Sequence, residues 1–178
     1  MDKSNLIEWI KDIIFAIILA LIILIFFQPI IIKQSSMENN FIENDYVIVS
    51  RQSYKLFTDF KRGDVIVFES DLKTDKGKDK NLIKRVIGLP GDTIEIVDGV
   101  VYINGEVLDE PYIKAQYMSG NLERITVEEG RLFVMGDNRE VSLDSREIGT
   151  ISEDSVVGRV VLRMFPIKKF GKIKRINY

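Results

Sequence analysis

Cysteine and histidine are both missing from the 178 residues. Without cysteine there is no disulfide framework, no thiolate zinc site and no thiol nucleophile. Without histidine, a Ser-His-Asp triad, an HExxH metalloprotease and any imidazole base are excluded. Acid–base chemistry in this chain has to come from Lys, Asp, Glu or Tyr. A strong charge of one sign is also lacking, with 25 basic residues against 27 acidic ones and a net charge of −2. The last 15 residues carry Lys168, Lys169, Lys172, Lys174 and Arg175 with no acid, so residues 1–163 hold −7. A mildly acidic body with a basic tail gives no case for nucleic acid. The length suits one domain with an ordinary core.

What is present is unevenly placed. Residues 13–32 include 18 apolar residues, broken only by Gln28 and Pro29 and bounded by Asp12 and Lys33. Twenty helical residues span about 30 Å, the thickness of a bilayer core. A cleavable signal peptide would have a shorter apolar stretch, roughly 7–15 residues, followed by a small-residue cleavage site. Here the run ends in Gln28-Pro29-Ile30-Ile31-Ile32-Lys33 without an A-x-A pattern. A buried core helix would not be apolar on every face. The expectation is a retained anchor over residues 1–33, in contact with the lipid bilayer, and a separate domain over residues 34–178. Lys3 and Lys11 precede the span while Lys33 follows it, which leans toward the N-terminus inside and the large domain outside.

Beyond the anchor the pattern alternates. Residues 46–49, 65–68, 82–87, 93–97, 100–103, 131–135 and 156–164 read as strands. Arg62-Gly63-Asp64, Asp98-Gly99 and Asn104-Gly105 separate them, the last being a strong hairpin dipeptide. Residues 70–80, rich in Lys and Asp, read as a solvated loop. The expected fold is mainly β, a single transmembrane helix followed by a β-barrel or β-sandwich.

Three segments carry chemistry. Lys84 stands in an apolar strand among Leu82, Ile83, Val86 and Ile87. It is either an edge-strand lysine facing water or a buried amine. Lowering a lysine pKa from about 10.4 to about 8 costs roughly 3 kcal/mol, and a neutral amine is useful as a base near neutral pH. Ser36 lies in a Ser-Ser pair where the anchor meets the first strand, and a serine nucleophile needs such a base within reach. Residues 136–146 pack Asp137, Asn138, Arg139, Ser142, Asp144, Ser145 and Arg146 after a β-run. That is either a charged surface turn or a buried polar network with every member satisfied.

Together these segments closely resemble the bacterial type I signal peptidases. The resemblance rests on Ser36-Met37, then Lys84-Arg85-Val86-Ile87-Gly88-Leu89-Pro90-Gly91-Asp92, then Gly136-Asp137-Asn138-Arg139 through Ser142, Asp144, Ser145 and Arg146. Arg62-Gly63-Asp64-Val65 matches a fourth box, and the order holds along the whole chain, in the compact single-anchor form common in Gram-positive bacteria. The resemblance implies Ser36 as nucleophile, Lys84 as general base, and Ser142 as the serine that orients the lysine amine. It implies Asp144 and Arg146 as a supporting salt-bridged pair and the Ser36 N–H as an oxyanion donor. Met37 and Ile83, joined by Ile32 and Phe41, would line the substrate pocket. The implied substrates are secretory preproteins with small residues at −1 and −3. The implied location is the bacterial cell membrane, with the N-terminus cytoplasmic and the domain extracytoplasmic. No cofactor, no metal and no obligate protein partner is implied.

The chain departs from that family's pattern. Its first box usually reads Ser-Met-x-Pro-Thr, and Asn39 and Asn40 take the Pro and Thr places. An Asn can supply a turn by bonding its own backbone. Gln34 stands where a small residue or serine is common, so no oxyanion side chain is assigned there. Leu82 replaces a frequent Tyr. These changes support an alternative, a membrane-anchored β-domain that binds extended peptides without cutting them. A further Ser-Lys spacing, Ser70-Asp71-Leu72-Lys73, fits S-x-x-K, but the S-D-N and K-T-G partners of that motif do not occur.

Overall fold

The computed structural model describes residues 3–38, 40–52, 54, 58–73, 77, 79–113, 120–173 and 176. Asn39, Lys174 and Arg175, named above, lie outside the described residues. Helix α1 covers Lys3–Phe26. Within it Ile7–Phe26 is long and apolar enough to cross a membrane, and none of that stretch is buried against the rest of the protein. An apolar helix exposed on every face is not a core helix.

The helix stops before the apolar run does. Gln28 precedes a proline, which biases it toward extended backbone, and Pro29 has no N–H to continue the ladder. Phe27–Ile31 instead forms strand β1, paired antiparallel with β2 (Tyr46–Ser50) from Phe27↔Ser50 to Ile31↔Tyr46. The single helical span expected as far as Ile32 is thus corrected to one that ends at Phe26. Residues 27–31, read from the sequence as anchor, belong to a sheet. Pro29 is tolerated because β1 is an edge strand.

The remaining strands are β3 (Val65–Lys73), β4 (Asp79–Gly88), β5 (Thr93–Val97), β6 (Val100–Ile103), β7 (Glu106–Val107) and β8 (Leu122–Thr126). They are followed by β9 (Arg131–Met135), a short helix α2 (Ser145–Ile148), β10 (Ile151–Ser152), β11 (Val156–Phe165) and β12 (Gly171–Lys172). The larger sheet runs β1-β2-β11-β3-β4-β9-β10, with β12 beside β11, and the smaller runs β7-β6-β5-β8. The mainly β expectation holds. The Asp98-Gly99 and Asn104-Gly105 turns have positive φ at both positions, 49° and 79°, then 53° and 85°, as tight hairpins require.

The 70–80 loop is shorter than read. Ser70 pairs with Lys80 and Lys73 with Asp79, so β3 and β4 extend into the charged stretch as a hairpin. Alternating charge on an exposed ribbon is compatible with strand pairing, and Ser70-Asp71-Leu72-Lys73 lies in a strand rather than opening a helix. The middle of β3 is buried on both faces. Val65 and Val67 join Ile32, Met37, Phe41 and Ile83 in one core, while Ile66 and Phe68 join Val86, Leu132 and Val134 in another. Side chains of a strand point alternately to its two faces, so β3 and its neighbour β4 serve two cores at once.

Candidate active site

β4 lies between β3 and β9, so Lys84 is not an edge lysine. Its side chain is sealed, with 1% of its surface exposed. The Nζ donates to Ser36 Oγ at 2.8 Å and to the Ile83 carbonyl at 3.1 Å. Burial lowers its pKa from the ordinary 10.5 to about 8. The Asp144 and Asp137 carboxylates oppose that shift, while the Lys80 and Arg146 cations reinforce it. Desolvation disfavours the ammonium more than the acids restore it.

Ser36 sits in a 3-10 turn, Ser35–Met37, which follows β1 after a short link. The turn is held from outside its own segment. The Asn138 N–H donates to Ser36 O at 2.9 Å, and Asn138 Nδ2 donates to Ser35 O at 3.2 Å. Gly136 makes this approach possible. A Cβ there would stand 2.5 Å from Ser36 O and 2.2 Å from Ser142 Oγ. The conjectured local turn at Asn40 is replaced by something longer in reach. Its Nδ2 donates to Tyr112 O and to Asp137 Oδ2, each at 2.8 Å, tying the loop after Ser36 to two distant segments.

Residues 136–146 form the buried network rather than a surface turn. Asp137, Asn138, Arg139, Ser142, Asp144 and Ser145 are all buried. Asp144 receives Arg146 Nε at 2.8 Å and Nη2 at 2.9 Å, and also the Gly136 N–H at 2.9 Å. Asp137 receives Arg85 Nε at 2.8 Å and Nη2 at 2.6 Å. Arg139 pairs with Glu110, which joins the network to the segment between β7 and β8 of the smaller sheet. Ser142 is brought to the site, against Gly136, but among the described residues its buried Oγ has no hydrogen-bond partner and is not bonded to Lys84.

A cleft of about 410 Å³ opens over the pair, walled by Leu72, Leu82, Val141 and Leu143 and rimmed by Lys33, Gln34, Glu43 and Lys80. An apolar cavity of about 260 Å³ adjoins it and shares Lys33, Gln34, Lys80 and Leu82. Ile32 and Ile83 line that cavity. Met37 and Phe41 do not. Met37 is wholly buried beneath it in the same core, and Phe41 faces a different cavity. The cleft residues Lys33, Lys80, Val141 and Leu143 went unread in the sequence, because no local pattern marks them and only the fold of β4 and the 136–146 segment gathers them. Asp137, Asn138 and Arg139 stand in the sequence as members of a dense polar run and of a resembling motif, with no role assigned to any of them.

A serine hydroxyl held to a desolvated amine thus lies beside an apolar cavity, in a domain joined through β1 to a helix long and apolar enough to cross a membrane. The family model described as "Signal peptidase, peptidase S26" matches residues 6–165. The chain belongs to that signal peptidase family. It is 35% identical over 181 residues to Signal peptidase I of Bacillus licheniformis, covering 96% of this chain and 94% of the relative. It is 34% identical over 186 residues to Signal peptidase IB of Staphylococcus aureus, covering 94% of each. A crystal structure of a signal peptidase I from Enterococcus faecalis aligns at TM-score 0.48 and 35% identity, over 57% of this chain and 97% of that one. As a type I signal peptidase the protein is a serine peptidase, membrane-anchored through its apolar N-terminal helix.

Proposed function

We propose that this signal peptidase removes N-terminal signal peptides from secretory preproteins, cutting after a small-x-small motif with Ser36 as nucleophile and Lys84 as general base. The observation that carries the reading is the 2.8 Å contact between Lys84 Nζ and Ser36 Oγ inside a buried cleft. In the neutral form Lys84 takes the Oγ proton as the oxygen attacks the scissile carbonyl. The Ser36 N–H stabilises the oxyanion, and the ammonium returns its proton to the leaving amine. Water then attacks the acyl-enzyme with Lys84 again as base. Asp144 and Arg146 brace the loop that carries Ser142, and Ser142 turns to the amine when substrate is bound.

Ile32 and Ile83 form the pocket for the small side chains, with Met37 and Phe41 packed behind them. The helix to Phe26 serves as anchor in the bacterial cell membrane, with the N-terminus cytoplasmic and the domain from Phe27 onward extracytoplasmic. Ser36 then lies near the membrane surface, where a preprotein whose signal helix is still in the bilayer presents its cleavage site.

The test is cleavage of a preprotein by the purified full chain in detergent. Ser36→Ala and Lys84→Ala are expected to abolish cutting while the fold persists by circular dichroism. Lys84→Arg is also expected to be inactive, because guanidinium is no base near neutral pH. Wild-type rates in both alanine variants would overturn the dyad. A folded wild type that cuts no preprotein would favour the peptide-binding reading.

A further inference from the structure

Lys84 and Arg85 are adjacent on β4 and therefore project to opposite faces. The proposed chemistry uses only the first. Arg85 faces a cavity of about 500 Å³ whose wall contains Arg85, Arg163, Lys169 and Lys172 and, among the described residues, no Asp or Glu. The two arginines are fixed at its base. Arg85 is 3% exposed, held by Asp137 and stacked 4.1 Å over the Tyr112 ring. Arg163 is 8% exposed, donates to Asn40 O and lies 4.7 Å over the Phe41 ring. Their acids, Asp137 and Asp45, stand outside the cavity wall. Arg163 Nε is 3.3 Å from Asp45 Oδ2 as an ion pair but makes no hydrogen bond among the described residues.

Lys169 and Lys172 are exposed on the chain that closes the cavity, and neither has a carboxylate partner among the described residues. A protein of net charge −2 thus gathers four cations around one space and keeps acids out of its wall. Each arginine is held from behind by its acid, which orients it and balances its charge, while the two ammonium groups carry charge that no carboxylate among the described residues balances. Rigid guanidinium groups below and mobile ammonium groups above suit an oxyanion with several acceptor oxygens. Arg85 Nη1 also donates to Gly63 O, so the guanidinium edges are partly engaged and the two ammonium groups supply most of the donors open to a ligand.

We infer that the cavity between β4, the loop after Ser36 and the chain at 169–173 binds a phosphate ester group. That group comes either from a soluble ester or from a lipid headgroup at the bilayer surface. The inference does not depend on the Ser36–Lys84 chemistry, because its readout is binding. The full chain in uncharged detergent micelles is titrated by calorimetry with glycerol 3-phosphate and, separately, with dihexanoyl phosphatidylglycerol. Saturable binding of both identifies the soluble ester as sufficient, and saturable binding of the lipid alone identifies the headgroup in its lipid context. In either case Lys169→Gln/Lys172→Gln is expected to weaken binding at least about tenfold, with Lys61→Gln as an exposed-lysine control that leaves it unchanged. The inference is overturned if neither probe saturates, if the double variant binds like wild type, or if Lys61→Gln loses as much.

Discussion

The environment of Lys84 bears on stability and, in the proposed mechanism, on rate. With its pKa at about 8, roughly a tenth of the amine is neutral at pH 7, against less than about 0.1% for an ordinary lysine. The kcat/KM of preprotein cleavage is expected to rise about tenfold per pH unit below 8 and to level above it. Lys80 lowers the Lys84 pKa, so Lys80→Gln is expected to move the midpoint of that limb to higher pH, which a pH–rate series reads directly. Stability follows from the same shift. Below pH 8 the folded chain carries a buried ammonium that the unfolded chain solvates; above 10.5 both are neutral. The unfolded state binds more protons between these values, so the penalty fades as pH rises from about 8 to 10.5. Lys84→Met is therefore expected to be more stable than wild type by on the order of 2 kcal/mol at pH 7. The difference should vanish near pH 10.5 in denaturant titrations.

At the scale of elements, the candidate site is a junction of three segments, and its weak points are where they touch. Gly136→Ala puts a methyl group 2.5 Å from Ser36 O and 2.2 Å from Ser142 Oγ. A loss of about 2 kcal/mol in stability and, if Ser36 is the nucleophile as proposed, of at least about 100-fold in kcat is expected, since the carbonyl cannot retreat without moving Ser36. Asn40 supplies two N–H donors to acceptors on separate segments. Asn40→Leu is expected to lose about 1–3 kcal/mol in a denaturant titration, and Asn40→Thr less, because a hydroxyl can serve one acceptor of the two. The absence of His and Cys points to Lys84 as the available base, while Ser36 and the pair Asp144–Arg146 are marked in the sequence by the resemblance of their motifs to the family. Asn40's reach was not legible, because its partners Tyr112 and Asp137 are 72 and 97 residues away. The strand at Phe27–Ile31 was also hidden, since continuous apolarity reads the same for a membrane helix and for the start of a sheet, and Pro29 was the one local sign of the change.

At the scale of the whole molecule, anchor and domain share the strand that follows the helix. A chain beginning at Phe27 keeps β1 and is expected to fold, while one beginning at Gln34 loses the edge strand and Ile32 from the core. Circular dichroism and thermal melts of the two truncations separate these outcomes. The shorter truncation is also expected to cut a soluble peptide as well as the full chain does, yet to cut a bilayer-inserted preprotein on the order of 100-fold more slowly. Tethering enzyme and substrate to one plane raises effective concentration without any new contact, and that advantage disappears with the helix.

The sequence by itself determined the chemistry available, the presence of a membrane-crossing segment and the alternation that makes the rest β. Those are properties of residue type and short-range order, and they survive without knowing which strand pairs with which. Only the tertiary structure decided where the helix ends, that Ser36 Oγ lies 2.8 Å from Lys84 Nζ across 48 residues of chain, and that residues 169–173 line one cavity with Arg85 and Arg163. Burial and long-range proximity arise when sheets pack, and no local pattern encodes them.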